Sequence, residues 1–241
     1  MKKINTFITI KKHDVATYNI KKKKIQNDFV KQPKRNVVIK TNNHINNWVY
    51  IIYNVFLLAS LLTVILFEKN NIHIFLNKFH TPFLDFSFKY ITYLGDGIMF
   101  AFFIIFFFFV NKKESLKYVI AGLLTLIISA ITKRLVFINS ARPVEVLGKE
   151  NLHLIEGVKM AHWQSFPSGH TMTAFVIAVL LITHIKNKQQ QLFIAFCALL
   201  AGLSRVYLSQ HFLIDIFAGS MIGVVLALLV NLIMNKIKKN N

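Results

Sequence analysis

Cysteine occurs once in this chain, acidic residues only ten times, and charged residues of both signs make up just 16% of it. The lone Cys197 lies inside an apolar run, so no intrachain disulfide can form, and the thiol reads as a small buried hydrophobe. The ten Asp and Glu form no cluster, which removes the carboxylate cage that a divalent cation ordinarily takes. So few charges also argue against an ordinary soluble domain. With 54% hydrophobic residues and a mean hydropathy of +0.49, the 241 residues suit a polytopic membrane protein instead. Residues 1–47 lack the short apolar region and small-residue cleavage site of a secretory signal.

Positive charge is what the chain has in excess, 29 Lys and Arg for a formal net charge of +19. Nucleic acid is one partner such a balance could serve, but the distribution argues against it. Twelve of the 29 lie in residues 1–47, most of the others flank apolar runs, and no module of interleaved basic and aromatic residues is visible. Residues 1–47 are therefore expected to be a disordered basic cytoplasmic tail.

Beyond that tail the fold class reads as all-α, a membrane helical bundle, because backbone groups in lipid must find their partners within the chain. Six apolar runs are expected to span: 48–67, 96–110, 118–137, 168–185, 192–208 and 215–235. They make up one domain over 48–235, followed by a second basic tail at 236–241. Between the first two runs, Ile72, Phe75, Phe79, Phe83, Phe86 and Tyr90 recur at three- or four-residue steps among polar residues. This pattern predicts short amphipathic helices at the membrane interface, divided at Pro82. Cationic asymmetry then orients the bundle. With the N-terminal tail inside, the segments on its side hold 20 Lys and Arg, against three in each of the outer segments 68–95 and 138–167.

Three short strings carry chemistry. Lys133-Arg134 ends the third run, with Arg142-Pro143 shortly after; Pro167-Ser168-Gly169-His170 opens the fourth; Ser204-Arg205 ends the fifth, and His211 and Asp215 lead into the sixth. In this topology all three strings fall at one face of the membrane. Lys133, Arg142 and Arg205 are the residue types that meet phosphoryl oxygens, arginine as a bidentate fork and lysine as a point charge. Ser168 can cap a helix whose exposed amides face an anion, and His170 beside it can serve as a general acid. Asp215 can take the proton of one ring nitrogen of His211 and leave the other free to attack phosphorus. His80, His153 and His162 read as interfacial or loop residues, and Trp163 as an interfacial anchor.

These strings resemble the type 2 phosphatidic acid phosphatase superfamily, whose pattern is Lys-x6-Arg-Pro, Pro-Ser-Gly-His and Ser-Arg-x5-His-x3-Asp. The second and third strings match without departure. The first departs: eight residues separate Lys133 from Arg142, and the family spacing lands on Leu135. A two-residue insertion would leave Lys133 in the lysine's role, with Arg134 as the alternative. The resemblance covers about residues 90–235. It implies His211 as a nucleophile that forms a phosphohistidine, Asp215 as its orienting partner, and His170 as acid and then base. It implies Lys133, Arg142, Ser168, Gly169 and Arg205 as phosphate ligands, with no metal and no cofactor.

The partners then expected are membrane lipids and a phosphorylated lipid substrate: phosphatidate, phosphatidylglycerol phosphate, undecaprenyl diphosphate or a lipid A phosphate. The expected place is a bacterial inner membrane with the site on its outer side. Six spans argue against the soluble haloperoxidase branch of the superfamily. A rival from another class is a non-catalytic lipid-phosphate binder or flippase on the same bundle, which would need cations but no nucleophile.

Overall fold

A computed structural model describes residues 45–240. The expected tail over 1–47 lies almost wholly outside the described residues. Apolar composition and well-capped starts account for the helices. Asn46 caps α1 (Asn47–Leu66) by accepting from the Trp48 amide. Thr81 caps α3 (Pro82–Ile91), where Pro82 takes the first position, one that needs no N–H donor. Between them stands α2 (Lys69–Asn77). The expected pair of short amphipathic helices is thus present, and Phe75, Phe83, Phe86 and Tyr90 are exposed along them. A 3-10 turn, Thr92–Gly95, leads from α3 to α4 (Ile98–Val110), whose phenylalanines mostly face outward.

Asn111 caps α5 (Lys112–Ile131) by accepting from the amides of Lys113 and Glu114. The helix continues as a π turn over Thr132–Val136, closed by Phe137 N–H donating to the Thr132 carbonyl. A strap then carries α6 (Pro143–Leu147) before the chain re-enters the bundle as α7 (Gly169–Ile182). The last two helices are α8 (Lys188–Tyr207) and α9 (Leu213–Asn240).

Four helical stretches are long and apolar enough to cross a membrane: Asn47–Leu66, Lys112–Val136, Lys188–Tyr207 and Leu213–Ile237. Pro82–Gly95 and Ile98–Val110 together would make a fifth, bent by 56°. The sixth expected run, 168–185, yields only the 14 residues of α7. At 1.5 Å per residue that is roughly 21 Å, short of a hydrocarbon layer of about 30 Å. Four helices, or five with the bent pair, are of spanning length among the described residues, so the expected count of six spans is not reached. Packing explains why α7 can be short: α8 and α9 lie against it, and all but three of its residues are buried. Gly219 and Gly223 of α9 permit that close approach. A Cβ added at either would come 2.7 Å from the Ser168 carbonyl oxygen or 2.8 Å from that of Met172.

Lys117, counted from sequence among the flanking cations, is instead 3% exposed on α5. Its ammonium sits 2.9 Å from Glu114 and donates to Asn231 and Asn235 of α9 at 3.0 and 3.3 Å. Through its lysine this buried pair fastens α5 to α9 about 24 Å along the helix from Lys133.

Candidate active site

The helix ends meet around His211, which is 1% exposed. Sequence spacing suggests that His211 and Asp215 share a helical face, but α9 begins only at Leu213. The two meet because Asp215, in the first turn, reaches back. Its Oδ2 accepts from the Phe212 amide at 3.0 Å and lies 3.2 Å from His211 Nδ1. A carboxylate only accepts, so Nδ1 carries the ring proton and Nε2 keeps its lone pair. The loop before the helix is pinned as well: the amides of Gln210 and His211 both donate to the Arg205 carbonyl at the end of α8. That pair of hydrogen bonds closes a tight reversal, which Ser209 enters at φ 53°.

Cations surround the ring. Arg142 Nη1 lies 3.5 Å from His211 Nε2 and donates to the Gln210 carbonyl at 2.9 Å, while its Nε donates to the Trp163 carbonyl. Arg205 donates through Nη1 to the Thr92 hydroxyl at 2.7 Å. Its buried Nε has no partner among the described residues. The side-chain oxygen of Gln210 lies 3.4 Å from one guanidinium and 3.5 Å from the other.

Lys133 rides on the π turn, which holds one residue more than an α turn and so takes up part of the lengthened spacing to Arg142. Its ammonium sits 3.9 Å from where a Cβ on Gly169 would stand. Arg134, the alternative, points outward and is exposed. The structure thus places Lys133, rather than Arg134, beside the other cations. Burial first, then the charges of Arg142, Arg205 and Lys133, hold His211 well below the ordinary imidazole value. The ring is neutral at pH 7, as an attacking nitrogen must be.

At the start of α7, Ser168 is fully buried and acts as the cap: its Oγ accepts from the Thr171 amide and hydroxyl at 3.4 and 2.9 Å. Its own amide donates to the Asp215 carbonyl at 3.0 Å, which ties α7 to α9 at the site. His170 follows in the first turn, with the charge of Arg205, Lys133 and Arg142 in reach of its ring. All eight residues singled out from sequence therefore gather at one end of the bundle. His162 pairs with Glu145 and His153 with Asp85, where it stacks on His80 at 3.8 Å; none of the three joins the cluster.

Sequence reasoning missed several members. Ser165 is fully buried, donates to Asp215 Oδ2 at 2.5 Å and lies 3.3 Å from His211 Nδ1. Only its place three residues before Ser168 could have drawn attention to it. Gln210, Thr92 and Asp96 carried no signal beyond being polar near an apolar run.

A family model for the PAP2 superfamily matches residues 114–239, which takes in every one of these residues except Thr92 and Asp96. The chain belongs to the PAP2 superfamily. Among its relatives, phosphatidylglycerophosphatase B of Bacillus subtilis (strain 168) is 43% identical over 84 residues, 31% of this chain and 41% of the relative. The chain thus aligns with less than half the length of that curated relative. The crystal structure of LpxE from Aquifex aeolicus superposes with a TM-score of 0.59 at 29% identity, over 66% of this chain and 92% of that one. A transmembrane PAP2-type phosphatidylglycerolphosphate phosphatase from Bacillus subtilis shares the fold, with a TM-score of 0.59 at 24% identity over 78% and 95% of the two chains. The membrane-length apolar helices agree with this likeness: the chain is an integral membrane protein of PAP2 type.

One buried group beside the site makes stability depend on pH. His73 of α2 is 1% exposed, lies 3.1 Å from Ser209 Oγ, and burial draws it down to about 4. Between that value and the ordinary value of about 6.5 the unfolded chain binds a proton at this residue and the folded chain refuses it. Its contribution is therefore full above that window and is lost as the pH falls through it. Melting in detergent at pH 7 and pH 5 is expected to show a smaller loss of Tm in His73→Gln than in the parent. An equal or larger loss in the variant would contradict this.

Proposed function

We propose that this chain is a membrane lipid phosphate phosphatase that works through a phosphohistidine on His211. The observation that carries this reading is the buried His211 ring, held by Asp215 on one side and met by Arg142 on the other. A binder or flippase needs the cations but has no use for a buried, proton-oriented imidazole, so the relay favours catalysis over that alternative.

The phosphoryl group would sit between Lys133, Arg142 and Arg205, whose charges match those spread over the equatorial oxygens in the transition state. Nε2 of His211 attacks phosphorus as the bond to the leaving oxygen breaks, and His170 gives that oxygen its proton. The emptied His170 ring then takes a proton from water as the water oxygen attacks phosphorus and the bond from phosphorus to His211 Nε2 breaks. Inorganic phosphate leaves, and both rings return to their starting state. Charge stabilisation falls to the cations of the chain, so no metal takes part in this scheme.

An apolar bundle around a phosphate-sized cluster of cations suits a lipid whose phosphate lies at headgroup depth. Phosphatidylglycerol phosphate, phosphatidate, undecaprenyl diphosphate and lipid A phosphates share that chemistry; the names of the two Bacillus subtilis relatives point to the first. The cationic asymmetry of the sequence supports a site on the outer side of a bacterial inner membrane.

Purified protein in detergent is expected to release phosphate from a panel of these lipids, to keep its rate in EDTA and to be blocked by vanadate. Spheroplasts are expected to hydrolyse added 4-nitrophenyl phosphate without permeabilisation. Loss of activity in EDTA that returns with magnesium would overturn the metal-free scheme. A requirement for permeabilisation would overturn the outward-facing site.

A further inference from the structure

A general acid in this position faces an electrostatic difficulty. His170 must carry a proton before the leaving group departs, yet burial first, and then the charges of Arg205, Lys133 and Arg142, disfavour a further positive charge on its ring. The carboxylate of Asp215 cannot serve it, being committed to Ser165, Phe212 and His211. Asp96 is the other carboxylate in reach: its Oδ2 lies 3.7 Å from His170 Nε2, with both side chains partly exposed.

The turn that bears Asp96 is built onto the site. Thr92, at its start, accepts from Arg205 at 2.7 Å. Gly95, at its end, lies so close to α7 that an added Cβ would stand 2.5 Å from the His170 carbonyl oxygen. The two oxygens of Asp96 have separate uses. Oδ1 caps α4 by accepting from the Ile98 amide at 2.9 Å, and Oδ2 faces the imidazole. At 3.7 Å the contact is one of charge rather than a hydrogen bond, so the ring proton stays available to the leaving group.

We propose that Asp96 is a positioning residue for this reaction, holding the proton-bearing form of His170 against the surrounding cations. The inference rests on the function proposed above. Asp96 neither gives nor takes the transferred proton. His170 loses its proton to the departing oxygen and regains one from the attacking water, and Asp96 favours the ring in its charged form at the start of each turnover.

Asp96→Asn tests this cleanly, because the amide oxygen can still cap α4 while the charge is gone. Two substrates separate the roles: dioctanoyl phosphatidate, whose alkoxide must be protonated as it leaves, and 4-nitrophenyl phosphate, whose phenolate leaves unaided. The variant is expected to lose about 10²-fold in kcat with phosphatidate and about tenfold less than that with the nitrophenyl ester. In a His170→Ala background the same change is expected to add nothing. Equal losses on the two substrates, an undiminished rate with phosphatidate, or a further loss in the double variant would overturn the role of Asp96. His170→Ala alone reports on the underlying scheme. If it spares phosphatidate as much as the ester, His170 is not the acid and both readings fall; if it does not, the Asp96 result stands by itself.

Discussion

His211→Ala is expected to lower kcat by a factor on the order of 10⁵ or more, the scale seen when a buried nucleophile is removed from an enzyme whose remaining groups stay in place. No nearby group can substitute. The Ser165 hydroxyl, 3.3 Å from His211 Nδ1, already gives its proton to Asp215 and faces the wrong side of the ring. Lys133, Arg142 and Arg205 would remain to bind the anion, so vanadate should still raise the Tm of the variant. Steady-state phosphate release with this control separates a lost nucleophile from a lost fold. A rate within tenfold of the parent would remove His211 from the mechanism. It would leave a phosphatase whose nucleophile is some other group.

The second large effect is expected from Asp215→Asn, about 10³- to 10⁴-fold in kcat with little change in KM. Oδ2 of Asp215 holds three neighbours: the Ser165 hydroxyl, the Phe212 amide and the proton on His211 Nδ1. An asparagine has only one accepting oxygen to offer. If that oxygen keeps the Phe212 amide, which starts α9, and the Ser165 hydroxyl, the imidazole loses its charged partner. If the amide nitrogen turns to the ring, Nδ1 must accept, the proton moves to Nε2, and the attacking lone pair is gone. Either outcome resembles the wrong-tautomer loss known for carboxylate–histidine relays. Because the cations are untouched, substrate binding should persist, and the split between kcat and KM is the measurement that decides. A proportional rise in KM would mean that Asp215 serves binding rather than tautomer control.

Much of this site was legible before any coordinates. Pro-Ser-Gly-His and Ser-Arg-x5-His-x3-Asp each fall within a few residues of an apolar run's end. A run of that composition forms a helix whichever partners it later meets, so the ends of neighbouring helices could be assigned to one face from chain order alone. The lengthened first string was read as Lys133 against Arg134, and burial together with the π turn settled which of them faces the cluster.

What escaped is of another kind. Thr92 is 113 residues from Arg205, and Ser165 is 50 from Asp215. A hydroxyl that meets a charged group across such a gap leaves no period or motif in its own neighbourhood. The length of α7 was also misjudged. Its apolar run continues to residue 185, but the amides of His184 and Ile185 bond only three residues back, and the helix ends at Ile182.

By itself the chain's residue order determined that this is an all-helical membrane protein with two histidines and three cations at a common end. Contiguous apolar runs and their flanking residues are enough to form and orient helices, whatever lies around them. Tertiary structure alone decided which oxygen atoms hold Asp215, Arg205 and His170 in register. Those contacts join segments far apart in the chain that share no local sequence rule, and they exist only once those segments are packed together.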